Sequence, residues 1–448
     1  MDQISLKDLN LDLNSIFLLT ITICAFLIPV VVILPPIPAR PSDALLQTHS
    51  KAGVRGPKSN LRDQFAASHA SRDGQPPTVH SLVIYPVKSC RGIEVTRSKV
   101  LPAGLEFDRL FTLAQLKSPF PVAVDASDED KNRHCWQFVT QRQFARLATV
   151  KVDLWLPDEM KLRKQSMHTR EAFLILRFPW RERGWRGALS VLAARISRRS
   201  LAAEPEKEIF LPVDFPSDAE IAERGYTYED VTIWKDTVRA LNMEKDLPEE
   251  LGRYLGVSNK LALFRIDPAQ PREVYRCAPS KEDAGYQPVT GFQDAYPLHM
   301  LNLNSLQQFS ADVPKDEDLK ELDALRFRAN IILSGAPVYD EETWKRIRLR
   351  PGSSRLYNDA EFHVSCRTVR CKMPNVDPVN GFRHPSEPDK SLRTHRAVDE
   401  GAPRLGCLGM QLTPLFDPNL GEDDRQSWIA VGMTVEVEER GQHVYIKQ

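Results

Sequence analysis

The chain has 448 residues, room for roughly two or three domains of ordinary size. Hydrophobic residues make up 42% and charged residues 27%, a balance that supports packed globular cores. Lys+Arg and Asp+Glu each number 60, and without a basic excess the chain does not read as a dedicated nucleic-acid binder.

The first element in chain order is "SIFLLTITICAFLIPVVVIL" (15–34), a run without a charge after a short tail, 1–14. A helix of this length spans about 30 Å of hydrocarbon, and Pro29 is tolerable in such a helix. Asp2, Asp8 and Asp12 precede it against one Lys7, which disfavours a cleaved signal or a matrix transit peptide. Arg40, Lys51, Arg55, Lys58 and Arg62 follow it. The expectation is a single-pass signal-anchor in the bilayer with the bulk of the chain cytosolic. Residues 35–78, rich in Pro, Ser, Ala and basic residues, read as a flexible linker.

Short β-branched and aromatic runs then dominate: "TVHSLVIY" (78–85), "RLFTLAQL", "WQFVTQ", "ATVKVDLWL", "TREAFLILRF" and "EDVTIW". The basic stretch "RERGWRGALSVLAARISRR" (181–199) reads first as a surface helix, with contact to anionic lipid as the alternative. "LPEELGRYLG" has Pro248 at its start and Gly256 at its end, as a helix prefers. Further on, "NLNSLQQFS" starts a helix, and "RFRANIILSG" and "EFHVSCRTVRC" read as strands. The tail "SWIAVGMTVEVEERGQHVYIK" suggests a hairpin around "ERGQ". The sum is a β-rich α+β protein, barrel-like, with few helices.

Seven cysteines are scattered without a C-x-x-C, so neither a disulfide framework nor an iron–sulfur run is signalled. Cys90, Cys135, Cys277 and Cys407 read as packing residues. Cys371 leaves four readings open. It could pack. It could share a zinc site with His363, Cys366 and His384, although the spacings match no common zinc motif. It could be a nucleophile with its thiolate favoured by Arg367, Arg370 and Lys372. It could be the one protein thiolate on a soft metal whose other ligands come from an anionic cofactor. Lys88, Arg109, Arg328 and Arg370, near strand ends in separate segments, would then form the cationic cradle. If strand alternation runs through, Cys366 and Cys371 lie on opposite faces.

"LVIYPVKSCRGIEV" (82–95), "GLEFDRLFTL" (104–113), "FQDAYPLHMLNLNSL" (292–306), "LRFRANIILSG" (325–335) and "VRCKMPNVDPVNG" (369–381) together resemble the MOSC-domain proteins. With the apolar N-terminal run, the whole is similar to the mitochondrial amidoxime-reducing components of fungal type. The resemblance implies a MOSC N-terminal β-barrel domain over 79–275 and a MOSC β-barrel domain over 276–448. It implies a molybdenum cofactor (Mo-molybdopterin), with Cys371 as metal ligand and catalytic residue. Lys88, Ser89, Arg109, Arg328, Asn330 and Arg370 would bind the cofactor. The implied activity is reduction of small N-hydroxylated compounds. The implied setting is the mitochondrial outer membrane. Electrons would come from an external donor, a small b-type cytochrome fed by an NADH-dependent flavin reductase. No haem, flavin or iron–sulfur cluster is expected in this chain. The sequence departs from the family at Tyr296, Val369, Pro374 and Asn375, near the expected metal. The rival expectation is sulfur transfer or cofactor handling without reductase activity. That reading usually adds a pyridoxal-phosphate domain, for which no stretch of this sequence is left.

Overall fold

Short alternating runs fold as strands, and most of them close into two barrels in the computed structural model, which describes residues 12–33, 41–54, 56–121, 125, 127–165, 167–352 and 357–446. The first barrel runs Thr227–Ile233, Asp236–Asn242, Leu261–Ile266, Phe111–Lys117, Cys135–Phe138 in hydrogen-bonded order. Neighbours are antiparallel except at the closing seam, where Val231 pairs with Trp136 in parallel. The period of two sends Trp136 and Phe138, Val231 and Ile233, Val238 and Ala240, Ala262 and Phe264 into one core.

The second barrel runs Ile331–Ser334, Leu298–Asn302, Cys407–Leu415, Ala360–Val369, Trp344–Arg350, Thr434–Arg440, Thr78–Ile84. Thr78–Ile84 pairs back on Ile331–Ser334, with Leu82 opposite Ile331 and Ser81 opposite Ile332. A strand from the start of the folded sequence therefore seals a barrel whose other strands all follow residue 297. Helix Leu303–Asp312 is capped by the Asn302 side chain, which accepts from Asn304 N at 3.1 Å. It buries Leu303, Leu306 and Phe309 beside Val83 and Ile332, each such side chain contributing ~2 kcal/mol.

Next to this helix Glu341 is wholly buried, and Asn302 Nδ2 donates to its Oε2 at 2.9 Å. Burial outweighs that bond and pushes its pKa from 4.5 to about 7. A carboxyl with a higher pKa folded than unfolded gains a proton on folding, so stability falls as pH rises from 4.5 to about 7. The loss amounts to ~3 kcal/mol. Glu341→Gln is expected to remove that slope and to be the more stable protein above pH 7, read from denaturant titrations at stepped pH.

Several expectations are corrected. The linker expected over 35–78 is, from residue 49 on, tied to folded structure. His49–Lys51 pairs with Lys151–Pro157, Leu61 joins the core beside Val83, and His69 is buried. Its apolar residues find partners on the barrel, which composition alone does not reveal. The hairpin around "ERGQ" does not form. Ser427–Ala430 pairs with Arg97–Leu101, Thr434–Arg440 pairs with Trp344–Arg350, and the turn falls at Gly432, φ +88°. The strand expected over "RFRANIILSG" begins only at Ile331, because Ala324–Phe327 is a helical turn closed by Arg328 in the left-handed region.

The chain divides into two compact units, residues 1–44 with 179–207, and 45–178 with 208–448. Both barrels belong to the larger unit. In the smaller unit Trp185–Arg198 is a helix, and Trp185, Leu192 and Ile196 are exposed. The same unit holds helix Leu13–Ile33 and most of the short helix Pro41–Leu45. Residues 1–11 and 34–40 lie outside the described residues, including the end of the expected span. Among the described residues no helix is long and apolar enough to cross a membrane. This corrects the expected transmembrane anchor and, with it, the single-pass placement with a cytosolic bulk. Inside Leu13–Ile33 the hydroxyls of Thr20 and Thr22 donate to the carbonyls of Ile16 and Leu18, and Pro29 lies within the helix.

Candidate functional site

A cavity of about 740 Å³ opens in the larger unit, and its lining includes Lys88, Ser89, Arg109, Arg328, Asn330, Arg370 and Cys371. All seven expected site residues thus meet, although the chain delivers them from four separate segments. The turn after Thr78–Ile84 brings Lys88 and Ser89. Lys88 N donates to Phe111 O at 2.8 Å, and Gln141 Nε2 donates to Ser89 O at 2.7 Å. Arg109 arrives just before Phe111–Lys117, Arg328 and Asn330 just before Ile331–Ser334, and Arg370 and Cys371 just after Ala360–Val369.

Ser89, Arg109 and Arg328 have φ of 65°, 49° and 54°. Side-chain-bearing residues in this left-handed region cost on the order of 1 kcal/mol each. Three of them on one cavity wall mark a place where position outweighs stability.

Two of the cations, Lys88 and Arg109, are held by carboxylates. Lys88 Nζ donates to Phe292 O and to Asp294 Oδ1, both at 2.7 Å. Burial lowers the Lys88 pKa, while the ammonium holds the Asp294 carboxyl well below the usual range against the push of burial. Arg109 Nη1 donates to Asp108 and, at 3.0 Å, to Asn330 Oδ1. Asn330 also accepts from His299 N and donates to Val83 O, so it serves chiefly to position Arg109. Arg328 and Arg109 share one ring: their guanidinium carbons lie 4.1 and 4.8 Å from the centre of Tyr85.

The charges do not balance. Arg328 Nη1 donates to Cys90 O at 2.8 Å, and Arg370 Nη2 to Phe327 O at 2.9 Å. Among the described residues neither has a carboxylate within ion-pair distance. Burial pushes the Arg328 pKa down to about 10 and lowers that of Arg370. Arg328 Nη2 and Arg370 Nε, both buried, have no hydrogen-bond partner. Buried charge without a counter-charge is costly, so a wall of this kind suits an anion. Arg367, expected to act on the Cys371 thiol, is instead neutralised by Glu342 and Asp399. Lys372 is exposed.

Cys371 lies one residue beyond Arg370 and two beyond the end of strand Ala360–Val369, half-buried on the cavity wall. Cys366 is fully buried in a cluster with Val274 and Tyr296. The two cysteines part company because the strand ends between them and bulges twice, rather than through simple alternation. The alternative zinc set does not gather. His384 Nε2 bonds Asp316 at 2.8 Å, and its Nδ1 accepts from Glu387 N at 2.7 Å. Of the cysteines read as packing, Cys90 and Cys407 are buried with thiol pKa values pushed up to about 12, Cys277 is partly exposed, and Cys135 is exposed, a correction. Cys135 begins a short strand, where its side chain faces outward.

Sequence reasoning passed over His299 and Thr368. Both line the cavity, and His299 Nε2 and Thr368 Oγ1 are buried without a partner. Burial, and then Arg370 and Arg109, hold the His299 pKa well below 6.5, so the ring is neutral. Its signal was a histidine inside an apolar strand, "LHMLN", which alternation alone reads as core. Gly409 lets the ring sit there: it has φ +82°, and a Cβ at this position would meet His299 Nε2 at 2.4 Å and Met300 O at 2.6 Å. Gly409→Ala is expected to displace His299 and lower stability by ~2 kcal/mol or more, visible as a lower melting temperature.

Two family models match the chain: the MOSC N-terminal beta barrel domain over residues 76–181 and the MOSC domain over 287–436. The chain is 23% identical to mitochondrial amidoxime reducing component 2 of Rattus norvegicus over 343 residues, covering 76% of this chain and 77% of the relative. It is 22% identical to mitochondrial amidoxime-reducing component 1 of Homo sapiens over 336 residues, 73% of this chain and 74% of the relative. It is 22% identical to molybdenum cofactor sulfurase of Homo sapiens over 363 residues, which is 78% of this chain and 33% of that larger protein. With two β-barrels, both domains in this order and relatives that span most of its length, the chain belongs to the MOSC-domain proteins.

Proposed function

We propose that this chain is a molybdenum enzyme that binds a molybdenum–pterin cofactor in the cavity and reduces small N-hydroxylated compounds. One observation carries the reading: Arg328 and Arg370 are buried, charged and without carboxylate partners beside a single half-buried thiol, Cys371. The donor set suits such a group. The unpartnered Arg328 Nη2 and Arg370 Nε answer an anionic phosphate, and Cys371 Sγ offers one soft ligand. When bound, the cofactor would supply two-electron chemistry that removes oxygen from nitrogen.

The chain's own residues do the rest. Arg109 and Arg328, fixed on Tyr85, orient the anion, and Lys88 is held near the mouth by Asp294. His299 stays neutral, so it can take part through hydrogen bonds without adding positive charge. Tyr296 and Thr368 line the wall close to where the family departures fall, and they shape which substrates enter. Electrons come from an external donor, for which a small b-type cytochrome and an NADH-dependent flavin reductase are the proposed source. The names of the relatives, amidoxime-reducing components over most of this chain, favour reduction over sulfur transfer.

The test is metal and pterin analysis of the chain produced in a host that makes the cofactor. Near-equal molybdenum and pterin per chain, with NADH-driven amidoxime reduction only when cytochrome and reductase are added, is the expected result. A purified protein without molybdenum overturns the reading. Molybdenum without amidoxime turnover, even with both carriers present, favours the sulfur-transfer alternative.

A further inference from the structure

Away from the cavity, on the outside of the second barrel's closing seam, three side chains from separate elements converge. Asp63 ends the turn Asn60–Asp63, His69 ends the turn Ala67–His69, and His80 lies on strand Thr78–Ile84. We propose that Asp63, His69 and His80 form a site for a divalent transition-metal ion, of which Zn2+ is the natural occupant. Nothing in the proposed cofactor chemistry uses these residues, and none of them lines the cavity.

The geometry argues for the site. One ligand atom from each residue lies within 4.8 Å of the other two. Asp63 Oδ1 is 3.2 Å from His80 Nε2 and 3.6 Å from His69 Nε2. A tetrahedral ion with bonds of about 2.0–2.1 Å sets its ligands about 3.3 Å apart, so these separations are edges of such a tetrahedron. The imidazoles meet edge to face, with centroids 4.5 Å apart and planes at 71°. Both rings bring Nε2 to the same carboxylate oxygen, Asp63 Oδ1, and do so without stacking. Two backbone oxygens border the same point: Asn60 O is 2.7 Å from His80 Nε2, and Asp63 O is 2.7 Å from His69 Nε2.

The surroundings meet the other needs of a metal site. His69 Nδ1 is 2.9 Å from Ser334 Oγ. A hydroxyl both donates and accepts, so it serves either tautomer. With no ion, Nε2–H donates to Asp63 O and Nδ1 accepts from Ser334. With an ion on Nε2, Nδ1–H donates to Ser334, the outer contact that orients metal-binding histidines. An entry path exists, because the Asp63 side chain is 58% exposed whereas His69 is 4% exposed. Imidazole and carboxylate without thiolate suit zinc, nickel or copper, and zinc accepts the tetrahedral arrangement without preference of its own. The competing explanation is that both histidines are satisfied by the two carbonyls. That explanation accounts for each Nε2 singly and leaves unexplained why both also face one carboxylate oxygen. The ion's role follows from its place. It would clip the 60–69 segment onto the seam where Thr78–Ile84 meets Ile331–Ser334, the pairing that closes the barrel.

The experiment is a Zn2+ titration of the full chain against a chromophoric chelator, with a thermal melt at each stage. Wild type is expected to take up one Zn2+ and melt at a higher temperature with it. Asp63→Asn keeps the size of its side chain and His80→Gln keeps an N–H that can reach Asn60 O, and each is expected to weaken that binding at least ~10-fold and to lose the shift in melting. His384→Gln, in a histidine–carboxylate pair outside the cluster, should bind as wild type does. Co2+ in the same site should show ligand-field bands without a sulfur-to-metal charge-transfer band, which separates it from a cysteine site. A wild-type chain that neither takes up Zn2+ nor responds in the melt overturns the proposal. So do variants that bind as tightly as wild type, or a Co2+ complex dominated by sulfur.

Discussion

Cys371→Ala is expected to abolish amidoxime turnover, by a factor of more than ~100, while the fold melts as before. A factor of that size corresponds to ~2.7 kcal/mol or more in the barrier, well within what one lost metal ligand removes. The melt should hold because Cys371 is half-buried, lies beyond the end of its strand, and has no place in the core clusters. Cofactor content should fall only in part, since Arg109, Arg328 and Arg370 keep their grip on the anion. Cys366→Ala should do the reverse. It opens a small hole beside Val274 and Tyr296, lowers stability by about 1 kcal/mol and leaves turnover in place. The paired measurement is turnover, molybdenum content and melting temperature on both variants. Full activity in Cys371→Ala, or equal loss in both, contradicts the assigned roles.

Arg328→Met should separate stability from function in the opposite sense. Holding Arg328 charged in a site that lowers its pKa from 12.5 to about 10 costs ~3 kcal/mol. Removing the guanidinium gives that back and forfeits one hydrogen bond to Cys90 O, worth ~1–1.5 kcal/mol. The cofactor-free variant is therefore expected to be more stable than cofactor-free wild type by ~1–2 kcal/mol in denaturant titration. The same variant should retain less than a tenth of the wild-type pterin, because the anion loses its forked partner. Arg328→Lys is the control. It keeps the charge but loses the planar fork and the stacking on Tyr85, so it should recover little of the pterin and none of the stability. A cofactor-free Arg328→Met chain less stable than wild type would mean that the site is built around its own charges and awaits no anion.

Much of this was legible before any coordinates. The β-rich class follows from β-branched runs such as "TVHSLVIY", and the helix at Glu249–Leu255 from Pro248 and Gly256. The cation set Lys88, Arg109, Arg328 and Arg370 with Cys371 rested on five ordered motifs. These are local statements. Strand propensity, capping and turn chemistry depend on residues a few positions apart, so the chain carries them in its own order.

Other features needed the tertiary structure because they depend on what lies across space. Nothing near "TVHSLVIY" tells that it closes a barrel with Ile331–Ser334, and nothing near residue 61 tells that the expected linker is part of a core. Arg367 and Arg370 look alike three residues apart. Only the fold neutralises the first with Glu342 and Asp399 and leaves the second without a carboxylate. Nothing near "LHMLN" tells that His299 lines the cavity with Nε2 unpartnered, and nothing near His69 or His80 tells that both meet Asp63. By itself the sequence determined which strands, turns and charged side chains this protein has. The tertiary structure decided which of those charges are paid off by a neighbour, because burial and counter-charge are set by partners up to hundreds of residues away.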